Sequence, residues 1–157
     1  MKLKKLFVVV PAMLLTFGGG AASAGQTINE VGAVACVIDK WDEKEPEKGH
    51  KLVDMTSRCV IIPDDPAEPK YPQDCVGKHE FMPDESWKSS GTCTNTYAGG
   101  GTTSVTWEEG SHLKDYPYKY TGGRGQDEGA SGGGTYTYEN LTDTLAGGRY
   151  KGQLVLP

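Results

Sequence analysis

Four cysteines, Cys36, Cys59, Cys75 and Cys93, are the most chemically committed side chains in this sequence. They are even in number and widely spaced, with no C-x-x-C. That pattern points to disulfides and away from a zinc site. Four cysteines allow three pairings, and the turns between them favour one. Pro46-Glu47-Lys48-Gly49 has proline early and glycine late, as a tight turn requires. Folding the chain back around Glu47 and Lys48 sets Cys36 opposite Cys59. Reflection about Asp84 in Pro83-Asp84-Glu85 sets Cys75 opposite Cys93. The expected bonds are therefore 36–59 and 75–93.

Other reactive residue types form weaker patterns. His50, His79 and His112 show no HxH or HExxH spacing, so they read as lone surface histidines and no metal is expected. Ser131 lies in Gly129-Ala130-Ser131-Gly132 without the G-x-S-x-G elbow, which suits a turn better than a nucleophile. Glu80, Glu108, Glu109 and Glu139 fall in or near expected strands. Paired carboxylates at defined separations can cleave glycosides, but the expected place of these four is on outward, solvated faces. Gly123 and Gly125 allow a GxGxxG-like spacing, yet no helix follows to receive a phosphate, so dinucleotide binding is excluded and no cofactor is expected. Asn140-Leu141-Thr142 matches a glycosylation acceptor, meaningful in a eukaryotic secretory pathway.

The aromatic residues are the best functional lead. Trp87, Trp107, Tyr118, Tyr120, Tyr136 and Tyr138 are candidates to line a binding cavity, since aromatic walls with a few polar tips suit small, partly apolar ligands. The competing reading is that they only fill a core or cover the outside. Arg149, beside Tyr150, is a candidate to hold an anionic ligand group at the cavity mouth.

The elements that must position these residues are strands. Pro, Gly, Thr and Tyr interrupt the chain too often for long helices. Eight strands are expected, over Val31–Asp39, Lys51–Ile62, Cys75–Met82, Ser86–Tyr97, Thr102–Trp107, Tyr116–Thr121, Gly133–Glu139 and Arg149–Leu156. Tyr116, Tyr118 and Tyr120 alternate onto one face, as do Tyr136 and Tyr138, and Val105 with Trp107. Asp42–Lys48 is charge-dense and reads as a solvated hairpin end. Pro63–Gln73 is proline-rich and acidic and reads as an exposed, irregular connection. An eight-stranded antiparallel sheet can close and remove its edges.

The N-terminus carries an export signature. Lys2, Lys4 and Lys5 precede an apolar stretch from Leu6 to Phe17, followed by small residues with Ala22 and Ala24 in an A-x-A spacing. This is the three-part pattern of a cleavable secretory signal peptide over residues 1–24. Its apolar core is too short for a spanning helix, which needs about 20 residues, and no membrane insertion is expected. Residues 25–157 suit a single domain. The whole chain has a net charge of −5, and setting aside the three leader lysines makes it −8. Such an acidic domain has little attraction for nucleic acid. The expected location is secreted or periplasmic.

The glycine-rich stretch from Thr121 to Gly132, TGGRGQDEGASG, resembles the GGTG-(K/R)-(F/Y)-x-G-A-x-G turn of small secreted barrels related to allene oxide cyclase and dirigent proteins. Gly134-Thr135-Tyr136-Thr137 fits the strand after it, and Gly147-Gly148-Arg149-Tyr150-Lys151-Gly152 is a partial echo. The resemblance covers about the last third of the chain and points to a bacterial branch. Arg124 stands where the family has threonine, and Gln126-Asp127 where it has a basic–aromatic pair. The resemblance implies an all-β, eight-stranded antiparallel, calycin-like barrel with a central cavity. Fold does not determine activity. The chain reads as a barrel that binds a small molecule or serves a structural role. An isomerase or cyclase acting on a small apolar substrate in the cavity is the alternative, and a protein-interaction module is a third reading.

Overall fold

A computed structural model describes residues 25–157. The expected signal peptide, residues 1–24, lies outside the described residues. The strands are β1 (Gln26–Glu47), β2 (His50–Pro63), β3 (Tyr71–Phe81), β4 (Trp87–Thr96), β5 (Thr102–Gly110), β6 (Tyr116–Arg124), β7 (Ser131–Asn140) and β8 (Leu145–Leu156). Each pairs antiparallel with the next, and β8 pairs with β1, so the sheet closes into an eight-stranded barrel. Closure satisfies the hydrogen-bonding groups that an open sheet leaves at its two edges.

Strand periodicity decides what faces inward. Along β5, Thr103, Val105, Trp107 and Glu109 are buried while Ser104 and Glu108 are exposed. Along β3 the same alternation buries Tyr71, Cys75 and His79. In β1 a bulge at Asp39 changes the parity: Ile38 lies opposite Ser57, Lys40 opposite Thr56 and Trp41 opposite Met55. The extra residue turns Trp41 inward, where regular alternation from Ile38 would have turned it out.

Both disulfides join the expected partners. Cys36 lies directly opposite Cys59, and Cys75 opposite Cys93, in the β1–β2 and β3–β4 ladders. Two disulfides and no free cysteine among the described residues fit an oxidising, extracellular or periplasmic compartment. Most strands run longer than the sequence suggested, and β1, β2, β3, β7 and β8 begin earlier, while β4 is one residue shorter at each end. Asp42–Glu47 is not a loop but the exposed continuation of β1, paired with β2 and tied by Lys51 to Glu43 at 2.8 Å. Tyr71–Gln73 belongs to β3, leaving only 64–70 as the exposed connection.

Successive hairpins of an up-and-down barrel lie at alternating ends. The β1–β2, β3–β4, β5–β6 and β7–β8 connections share one end. The β2–β3, β4–β5 and β6–β7 connections share the other with Gly25 and Pro157. The glycine-rich stretch closes this second end through a short 3-10 turn, Gly125–Asp127. Gly125 (φ +69°) and Gly129 (φ +81°) occupy left-handed backbone that a side chain would strain. Asp127 between them and Ala130 just after them are buried.

Candidate functional site

The barrel encloses a cavity of about 930 Å³, at the upper end of the usual range for small-molecule sites. Asn140, Thr142 and Asp143 line it, so it reaches the end that holds the β7–β8 hairpin. Its far end stops on a polar floor. Gln73 Nε2 donates to Asn95 Oδ1 at 2.8 Å, Asn95 Nδ2 donates to Thr103 Oγ1 at 3.0 Å, and the Tyr97 hydroxyl lies 2.9 Å from the same Thr103 oxygen. Asn95 and Thr103 are essentially inaccessible (1% and 0% exposed), and their mutual bonds offset the cost of burying them.

Sequence sets the cavity shape through paired large and small residues. Gly77, Gly91 and Trp107 lie side by side on β3, β4 and β5. The Trp107 indole lies flat across both glycines, where a Cβ on either would collide with it. Tyr118 and Tyr150 place their hydroxyls over Gly152 and Gly32 in the same way. Each ring thus uses the space of an absent side chain one or two strands away, and the middle of the barrel stays open.

Two carboxylates are buried inside the barrel, and Glu109 is part of the cavity lining. Glu109 (6% exposed) accepts from Tyr136 at 2.5 Å on Oε1, and from Tyr138 at 2.9 Å and Ser89 at 3.0 Å on Oε2. Burial raises its pKa, and these three donors only partly oppose that rise. Glu30 sits toward the closed end and takes the Tyr120 hydroxyl at 2.9 and 3.0 Å. Burial likewise raises its pKa. The charged partners in turn push the Tyr120, Tyr136 and Tyr138 phenols up, burial being the larger cause. His79 packs against Trp41, with ring centroids 5.0 Å apart, and near Phe81 and Trp107. Its Nε2 is buried without a partner, and burial lowers its pKa, so it is neutral at neutral pH.

Of the residues singled out from the sequence, Trp87, Trp107, Tyr118, Tyr120, Tyr136 and Tyr138 all line the cavity. Arg149 does not. Tyr150 points inward, so its neighbour points outward, and the Arg149 guanidinium pairs with the exposed Asp64 carboxylate. Glu80 and the exposed Glu108 and Glu139 stay outside, Glu80 binding His50 and Lys88 at 2.9 Å each. Glu109 and His79 depart from their expected surface positions. Continuing the Val105–Trp107 alternation by one step puts Glu109 inside, and the same step from Cys75 through Gly77 does so for His79. Glu30 was missed because β1 begins five residues before the strand expected there. Among the described residues, no cluster of three or more His, Cys, Asp or Glu side chains is arranged to hold a metal ion.

No protein-family model and no curated protein matches the sequence. Solved structures do. The pterocarpan synthase dirigent protein GePTS1 is 12% identical with a TM-score of 0.54, over 87% of this chain and 88% of that one. The pterocarpan synthase dirigent protein PsPTS1 is 11% identical with a TM-score of 0.56, over 83% of this chain and 96% of that one. At such identity the likeness is one of fold: a dirigent-like, calycin-like barrel.

Proposed function

From this dirigent-like barrel we propose an exported carrier of a small, partly apolar molecule, with residues 1–24 serving as its signal peptide. The cavity carries the reading: about 930 Å³, open at one end, walled by tryptophan and tyrosine rings and floored by a satisfied polar network. Ligands gain there from apolar burial, at roughly 25 cal/mol per Å², and from aromatic contacts. The outer surface supports an aqueous setting. Outward strand positions carry Asp39, Asp54, Arg58 and Lys78, where a membrane barrel would present an apolar belt about 25 Å tall. An anionic group is not held by Arg149 in this proposal, because that side chain is turned away from the cavity.

Binding of a neutral solvatochromic dye such as Nile red tests the reading. One dye per chain with a blue-shifted emission is expected, lost when Ala146→Phe fills the cavity wall while the circular dichroism spectrum is kept. A barrel that leaves the dye in water at every concentration contradicts it.

One observation favours a second reading, isomerase or cyclase chemistry in the cavity. Glu109 is a cavity carboxyl with a raised pKa, the property a general acid needs near neutral pH. The two solved dirigent proteins, both pterocarpan synthases, point the same way. Release of an altered ligand, abolished by Glu109→Gln without loss of binding, would separate this reading from simple carriage.

A further inference from the structure

The charged groups of the cavity are all of one sign. Glu109 and Asp143 line it, and no lysine or arginine does. His79, the cavity's histidine, is kept neutral by burial. Glu109 also has unused capacity. A carboxylate offers about four acceptor positions. Ser89, Tyr136 and Tyr138 take three, two on Oε2 and one on Oε1.

The rings beside it are arranged as a cluster. Tyr136 and Tyr138 are stacked with centroids 6.2 Å apart. Tyr116 lies 5.6 and 5.7 Å from them, and Trp87 meets Tyr116 edge-on at 6.1 Å. Aromatic faces attract cations through their quadrupole, more strongly when the pair is desolvated. A buried carboxylate among such faces, in a cavity without a fixed positive charge, is complementary to an organic cation.

We infer that the molecule this cavity takes is an organic ammonium, its charged end at Glu109 beside Tyr136 and Tyr138 and its apolar body over Trp107. The inference rests on the pocket reading above. A primary ammonium donates to the free Oε1 position. Asp143 at the mouth and the acidic surface favour approach of a cation. A carboxylate ligand meets like charge and no counter-ion, and a neutral alcohol keeps the hydrogen bond but loses the charge.

Glu109's own state gives a second signature. The groups facing it are Tyr136 and Tyr138 from β7, Ser89 from β4 and Tyr116 from β6, with His79 next in the same row beyond Ser89. None is positively charged at neutral pH. A bound cation therefore lowers the raised pKa of Glu109, and binding weakens on acidification through its titration.

Three probes that share one ring system decide the matter by titration calorimetry on the intact chain: protonated tryptamine, tryptophol and indole-3-propanoate at pH 7.5. Tryptamine is expected to bind at least tenfold tighter than tryptophol, with indole-3-propanoate weakest. Glu109→Gln should cut tryptamine affinity about tenfold and change tryptophol less than twofold. Tryptophol or indole-3-propanoate binding as tightly as tryptamine overturns the inference and leaves the pocket reading standing. So does an unaltered preference in a folded Glu109→Gln protein. Failure of all three probes to bind overturns the inference, and failure of Nile red as well overturns both. If Glu109→Gln does not fold, the comparison of probes on the unaltered protein still decides.

Discussion

Replacing Glu109 by Gln should change how stability responds to pH in a defined direction. Burial raises the Glu109 pKa from its ordinary 4.5. Between the unfolded and folded values the native chain holds a proton that the unfolded chain has released. Stability from this group is therefore full below pH 4.5 and declines as pH rises through the folded pKa, where it levels off. The decline has a ceiling slope of about 1.4 kcal/mol per pH unit and totals about 1.4 kcal/mol for each unit by which the pKa is raised. Glutamine has the same shape, still accepts from Tyr136 or Tyr138, and does not titrate. His79 acts in the opposite sense. Its depressed pKa makes stability fall as pH drops through 6.5 toward the folded value. Surface acids such as the exposed Asp39 and Glu43 and the half-buried Glu80, held low by hydrogen bonds from cationic partners, lose their contribution at still lower pH. The absolute curve therefore mixes signs, but the difference between the two proteins isolates Glu109. Urea denaturation at half-unit steps from pH 4 to 8.5 measures it. The variant should gain stability relative to the parent as pH rises above 4.5, then hold a constant difference. Parallel curves, or a parent that gains on the variant with rising pH, would refute the assignment of Glu109 as a desolvated carboxyl.

Replacing Cys36 and Cys59 with serine, or Cys75 and Cys93, should cost about 3 kcal/mol in each case from the 23- and 18-residue separations they close. Urea midpoints of the two variants, compared with the parent under the same conditions, check this. Gly77→Ala should destabilise by about 1–3 kcal/mol because its methyl meets the Trp107 ring. That loss should shrink in a Trp107→Phe background, which a double-mutant cycle of denaturation midpoints reads directly. Arg149→Ala should leave Nile red affinity unchanged, since the guanidinium faces solvent and Asp64; calorimetric or fluorescence titration showing a tenfold loss would place it in the site after all.

Much of this molecule follows from local rules that a sequence exposes. Period-two alternation marks the later strands, and turn residues such as Pro46 and Gly49 locate the hairpins that set Cys36 against Cys59. Those are short-range properties, because side chains two residues apart share a face and a tight turn sets the register of its own ladder. The barrel was legible from strand number and from the glycine-rich turn, whose left-handed Gly125 and Gly129 serve backbone geometry. What only the tertiary structure decided is which face is inside and what meets there. Trp41 turns inward through one bulged residue, a change that composition does not signal. Glu30 and Tyr120 are 90 positions apart and share a hydrogen bond because closure brings β1 and β6 to a common interior. Alternation puts Glu109 on the face of Val105 and Trp107, opposite its exposed neighbour Glu108, but does not say that a carboxylate can be buried there. Its burial depends on three hydroxyls from β4 and β7 that fold in to receive it, and a carboxylate is kept inside a barrel only where such partners converge.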